Sequence, residues 1–272
     1  MQLKQNNYNQ LLSELFVDWI DSYPAEKQHL FCKDGIMLKN DSAINVNLLW
    51  KHSQRKVAFL LKDCPDEWGY DTREMLLDIH DKHGNEQGKK NRELEVPFLK
   101  NLAKLLYGLL EMSPKNVDTP FNNQYVDNRM DEVVDCWNTK PFAFIESKKL
   151  AGGDRVKEKD IIDALEKDEL FLKKELDILH PNIIVCCNGT GDSIFNFVTQ
   201  KYFMGKMPQK IGGDYIVNGK VIKNMHTCLW YYPDDKVVVV KSFHPSGAKP
   251  WEVQEKVLSP FRTFIRDINP LF

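Results

Sequence analysis

The strongest constraint on the fold is the run Val237-Val238-Val239-Val240-Lys241-Ser242-Phe243-His244-Pro245-Ser246-Gly247. Consecutive β-branched residues without polar alternation specify a strand buried on both faces, because neither face carries groups suited to water. Pro245 ends that strand in a tight turn. In open parallel sheets ligands bind beyond the carboxyl ends of the strands, which makes His244 a candidate functional residue. A histidine that only caps a loop is the alternative.

Three more apolar runs, 56–62, 141–146 and 182–187, share this character, and each ends in polar residues. Helical periodicity separates them, over 97–112, 126–137, 157–179 and 194–202, with a closing helix over 251–267. Strand and helix alternate, which predicts an α/β fold with a mainly parallel sheet covered on both faces. Residues 8–22 read as an amphipathic helix, and 1–54 as an N-terminal helical cap without chemistry, packed on a main domain of residues 55–272. Residues 73–82 read as a helix, the Gly- and Lys-rich stretch 84–91 as a mobile connection, and 203–226 as a hairpin or flap. Asp192 or Ser193 is the predicted cap of the helix that follows them.

The charges nearly cancel, 37 basic residues against 39 acidic, so any nucleic-acid surface must be a local patch. The N-terminus lacks a signal peptide's apolar core, and no run approaches the roughly 18 apolar residues of a membrane span. A cytoplasmic protein is expected, with no membrane partner. Six cysteines occur without a C-x-x-C pair, and adjacent Cys186 and Cys187 must face opposite ways in a strand. They read as reduced, mostly buried thiols, and no metal or other cofactor is expected.

Asp63-Cys64-Pro65 after the first strand, the helix Phe98-Leu99-Lys100-Asn101-Leu102-Ala103-Lys104-Leu105-Leu106-Tyr107-Gly108, the strand end Phe144-Ile145-Glu146, and Phe243-His244-Pro245-Ser246 together resemble the uracil-DNA glycosylase superfamily. The resemblance spans about residues 56–266, and its most specific element is the His-Pro-Ser turn. It implies a three-layer α/β/α sandwich around a short, mainly parallel sheet. It also implies a monomer that binds DNA, single- or double-stranded, and hydrolyses the N-glycosidic bond of a flipped base.

The resemblance assigns Asp63 to water activation, with Asp66 and then Asp71 behind it, and His244 to hydrogen bonding the departing base. Asp71 also suits a cap for the helix that starts at Thr72. Glu146 and Asn188, at the ends of the second and third strands, join the base-binding set, with Trp68 and Tyr70 as stacking rings. Lys148, Lys149, Arg155, Ser246 and Lys249 are the candidate phosphate contacts. Asn188-Gly189-Thr190-Gly191 offers backbone donors at a helix start but lacks a full nucleotide fingerprint.

The chain departs from the family in two places. Leu61-Lys62 precede Asp63 and Cys64 precedes Pro65, where the family has Gly-x-Asp-Pro or Gly-x-Asn-Pro. Glu146 stands where many members carry an asparagine. An ionised carboxylate only accepts, so Glu146 implies a base edge rich in N–H donors, and not uracil. Glu146 paired with Lys148 or Lys149 at the surface is the alternative. Two rival functions remain: a magnesium-dependent nuclease built on Asp135 and Glu146-Ser147-Lys148, and a catalytically silent nucleic-acid-binding member of the fold.

Overall fold

The computed structural model describes residues 7–39, 43–64, 69–77, 92–117, 123–152, 156–189, 191–217, 220–246, 250–270 and 272. Trp68, Asp66, Arg155, Lys249 and the connection 84–91 lie outside the described residues.

The strands are β1 (Gly35–Ile36), β2 (Val57–Asp63), β3 (Ala143–Lys148), β4 (Ile183–Cys187), β5 (Gln209–Val217), β6 (Lys220–Tyr232) and β7 (Val237–Ser242). They form one sheet in the order β1-β3-β2-β4-β7-β6-β5. The central β3, β2, β4 and β7 are mutually parallel, while β1, β6 and β5 are antiparallel additions. The α/β fold and mainly parallel core read from the sequence are therefore present. The hairpin read over 203–226 is present as β5 and β6, which are longer than expected and extend the sheet, while β1, paired with β3, was not read from the sequence.

The helices are α1 (Tyr8–Asp21), α2 (Ala25–Gln28), α3 (Val46–His52), α4 (Pro97–Glu111), α5 (Asn123–Asp127), α6 (Met130–Thr139), α7 (Glu158–Lys167), α8 (Glu169–Leu179), α9 (Ser193–Asn196) and α10 (Pro250–Asp267), with a π-helical turn over Phe197–Tyr202. They make two layers. Val57, Phe59 and Leu61 of β2 point into a core shared with α4, α6 and α10, and Ala58 and Leu60 into one shared with α1, α3, α7 and α8. The valine run behaves likewise, with Val238 and Val240 on the first side and Val237 and Val239 on the second. Cys187 and Cys186 also split between the two, and all six thiols are free.

The stretch 157–179 is two helices broken at Asp168, whose buried side chain accepts a hydrogen bond from the hydroxyl of Tyr23 on the α1–α2 connection. The stretch 126–137 is likewise divided, between α5 and α6. The helix read over 73–82 begins as a 3-10 turn, Thr72–Glu74, capped by Asp71 accepting from the backbone of Arg73. The N-terminal residues are more than a cap, because α1 supplies Leu12, Phe16 and Trp19 to the second core.

After β2 the chain reaches α4 on one face, and after β4 it reaches Ser193–Tyr202 on the other. Adjacent strands whose connections leave to opposite faces open a crevice between their carboxyl ends. Asp63 and Gly189 flank that crevice.

Candidate functional site

The strand register decides which residues meet at this edge. Asp63 pairs with Lys148, Leu60 with Cys186, and Cys187 with Ser242. Continued past the last pairs, the register sets Lys148, Asp63, Gly189 and His244 in one row across β3, β2, β4 and β7. Neighbouring strands lie about 4.8 Å apart, so the backbones of Asp63 and His244 are separated by about 10 Å. Gly189 stands between them with φ +70°, a conformation that L residues rarely adopt. A Cβ there would lie 3.6 Å from Nζ of Lys62 and 3.7 Å from Cβ of His244, so the missing side chain leaves a notch bounded by both.

His244 is held from three directions. Its ring stacks on Phe98 of α4 with centroids 5.6 Å apart, and Nδ2 of Asn101, one turn on, donates to the carbonyl of Pro245 at 2.7 Å. The backbone N–H of Ser246 donates to Nδ1 at 3.4 Å, and the Ser246 hydroxyl is 2.8 Å from the same nitrogen. A backbone N–H can only donate, so Nδ1 accepts and the ring proton belongs on Nε2. Burial and the charge of Lys62 push the pKa down to about 4, which leaves the ring neutral at pH 7. Ser246, read as a phosphate contact, instead orients the imidazole.

Asp63 accepts from Lys148 at 3.2 Å, and its side chain is only 6% exposed. Burial raises its pKa, against the opposing charges of Lys148 and Lys62. Gly152 makes this contact possible, because a Cβ there would lie 2.6 Å from Oδ2 of Asp63 and 2.5 Å from Nζ of Lys148. Lys148 also donates to the carbonyl of Leu150. Its ammonium is committed inside the edge, so the predicted phosphate contact is replaced by a counter-charge for Asp63.

Lys149 is a plain correction. Alternation on β3 sends it to the opposite face, where it is fully buried with its ammonium 2.5 Å from Asp34 and 2.8 Å from Glu175. It cannot reach a phosphate. Burial opposes its charge, but the two carboxylates outweigh that and raise its pKa. Asp34 comes from the segment read as chemically silent, and it also accepts from the backbone N–H of Glu146 at 2.6 Å.

Glu146 is buried and pairs with neither lysine, so the surface ion pair is absent. Burial, reinforced by Asp34, pushes its pKa well above the usual carboxylate range. Burial thus favours the protonated form over the ionised acceptor expected, and the protonated form offers one donor and one acceptor. Its Oε2 has no hydrogen-bond partner.

Asn188 is also buried. Its amide nitrogen donates to Oε1 of Glu158 at 3.0 Å and to Ser193 at 2.8 Å, which leaves Oδ1 without a partner. Glu158 also accepts from the backbone N–H of Ser193 at 3.1 Å. The start of α9 is therefore capped from α7 and not by Asp192, which pairs with Lys241. Tyr70 packs against Cys32, Cys64 and Ala151, as a ring of a small buried cluster.

No family model matches the chain, and no curated protein matches it. The site therefore rests on its own geometry. Sequence reading missed Lys62, Gly189 and Phe98: the first looked like a strand-end lysine, the second like part of a turn, and the third like one more apolar residue of α4. The only signal for Lys62 and Gly189 is their place directly after two buried strands. Asp135 lines a separate cavity of about 420 Å³ with Tyr107, Glu111 and Lys140, on the helix that precedes β3, whereas Glu146 lies towards the carboxyl end of that strand. The two acids of the nuclease pattern do not share a site. Among the described residues no cluster of three or more His, Cys, Asp or Glu suits a metal, and no helix is long and apolar enough to cross a membrane.

Proposed function

We propose that this protein hydrolyses the N-glycosidic bond of a base flipped out of DNA into the notch at Gly189. The observation that carries the reading is the row Lys148–Asp63–Gly189–His244, in which a carboxyl and a neutral imidazole flank a residue without a side chain. Breaking this bond develops positive charge on the sugar and negative charge on the base. Asp63 suits the sugar side, where an anion stabilises the developing cation and orients a water. His244 suits the base side, where Nε2–H donates to the ring as it gains electrons.

Asp63 and His244 stand on the strands either side of β4, where Gly189 adds no side chain. Oε2 of Glu146, on the same face of the sheet as Asp63, is a buried polar atom without a partner, and a base bearing N–H and carbonyl groups would satisfy it. The protonated form of Glu146 that burial favours can donate as well as accept, and an imide edge such as that of uracil returns to the candidate substrates. Asp63, Glu146 and His244, three of the residues that carry the resemblance to the uracil-DNA glycosylase superfamily, lie at or near the carboxyl ends of their strands, which supports the reading.

The test is base release from single- and double-stranded oligonucleotides bearing uracil, hypoxanthine and alkylated bases, in the presence of chelator. Wild type should release at least one base, and His244→Ala and Asp63→Ala should each slow release on the order of 10²-fold. No release from any substrate would favour a catalytically silent binding protein. Strand cleavage that stops in chelator would favour the nuclease.

A further inference from the structure

We propose that Lys62 is the cation that receives the negative charge of the departing base, an inference that rests on the glycosylase reading. Lys62 is the penultimate residue of β2, and its Nζ borders the notch at Gly189, as Cβ of His244 does. Other lysines of this edge are committed: Lys148 to Asp63 and Leu150, Lys149 to Asp34 and Glu175, and Lys241 to Asp192. Among the described residues none accepts a hydrogen bond or ion pair from Lys62. Its charge nevertheless reaches both ends of the row, lowering the pKa of Asp63 and of His244.

The chemistry needs such a group. A base that leaves before it is protonated carries a full negative charge over its ring, and a neutral imidazole answers with one hydrogen bond and no net charge. An ammonium beside the notch supplies the missing charge, and in a partly dehydrated site its attraction far exceeds the value in water. Burial and, after it, the same ammonium keep His244 neutral, so His244 serves as a fixed Nε2–H donor and not as an acid. Lys62 and His244 thus divide the work, one giving charge and the other direction. A lysine that only touched a DNA phosphate would help binding equally for every base.

Lys62→Gln and Lys62→Arg test this with two readouts. In single-turnover release from DNA carrying bases of graded acidity, such as 5-fluorouracil and uracil, Lys62→Gln should lose on the order of 10²-fold, and more for the less acidic base. Lys62→Arg should stay close to wild type, and binding of intact DNA should keep its salt dependence. Separately, the ring signals of His244 followed by NMR should titrate at higher pH in Lys62→Gln than in wild type, whether or not any substrate is known.

Equal losses for all bases with a shallower salt dependence would overturn the proposal in favour of a phosphate contact. An unmoved His244 titration would overturn the placement of Lys62. Wild-type release with undiminished Lys62→Gln activity would defeat this inference alone, whereas absence of release by wild type would defeat the glycosylase reading and this role with it.

Discussion

Nζ of Lys148 and Oδ2 of Asp63 stand 3.2 Å apart as register partners on two parallel strands. The pair explains how a nearly buried carboxyl stays usable as an anion, since burial raises its pKa and the facing ammonium opposes that. Replacing Lys148 with Met should move the acid limb of base release up by about one pH unit. A pH–rate profile with an unshifted limb would show that Asp63 does not depend on Lys148.

Burial, with Asp34 beside it, holds the folded pKa of Glu146 well above the value of 4.5 that it has when unfolded. A carboxyl with a raised folded pKa gives stability that is complete below its unfolded pKa and lost as pH rises through the folded one. Gln is isosteric and has no proton to lose. Glu146→Gln should therefore become progressively more stable than wild type above about pH 4.5, by up to about 1.4 kcal/mol per pH unit. Urea unfolding at pH 5 and pH 7.5 measures this, and a constant difference between the two would contradict it. Because neutral Glu and Gln each offer a donor and an acceptor, base preference should change little, in contrast to the shift an ionised Glu146 implied.

His244 has its folded pKa depressed from 6.5 to about 4. Its stabilising contribution is complete above about pH 6.5 and is lost as pH falls towards about 4, because protonation favours the unfolded chain. Base release should accordingly show no histidine limb near pH 6.5. Ser246→Ala removes only the hydroxyl and leaves the backbone N–H on Nδ1, so the tautomer should hold and release should slow by no more than about tenfold, with unchanged substrate binding. Nitrogen chemical shifts of the ring report the tautomer directly, and a wild type protonated on Nδ1 would refute the assignment.

Lys149 sits between Asp34 and Glu175 with no exposure. Lys149→Met leaves buried carboxyls without their cation and should cost about 3–5 kcal/mol in denaturant unfolding. The salt dependence of DNA binding by the folded fraction should stay the same. A shallower dependence would return Lys149 to the phosphate contacts.

Much of this protein was written along the chain. The valine run fixed a doubly buried strand, because side chains that alternate across a strand must all be apolar when both faces are covered. Alternation with amphipathic helices then required the parallel core, and His244-Pro245-Ser246 marked the end of a strand where ligands gather. What the chain order left open was decided in three dimensions. Lys148 and Lys149 are neighbours in sequence, yet strand alternation sends one to Asp63 and the other into a buried ion cluster, and no local pattern shows which partners wait there. Glu146 looks charged in sequence, but the fold raises its pKa, because it buries the carboxyl and sets Asp34 beside it. Residues that bind or react depend on distances between strands far apart in sequence, and only the register of the sheet sets Gly189 and Lys62 beside His244.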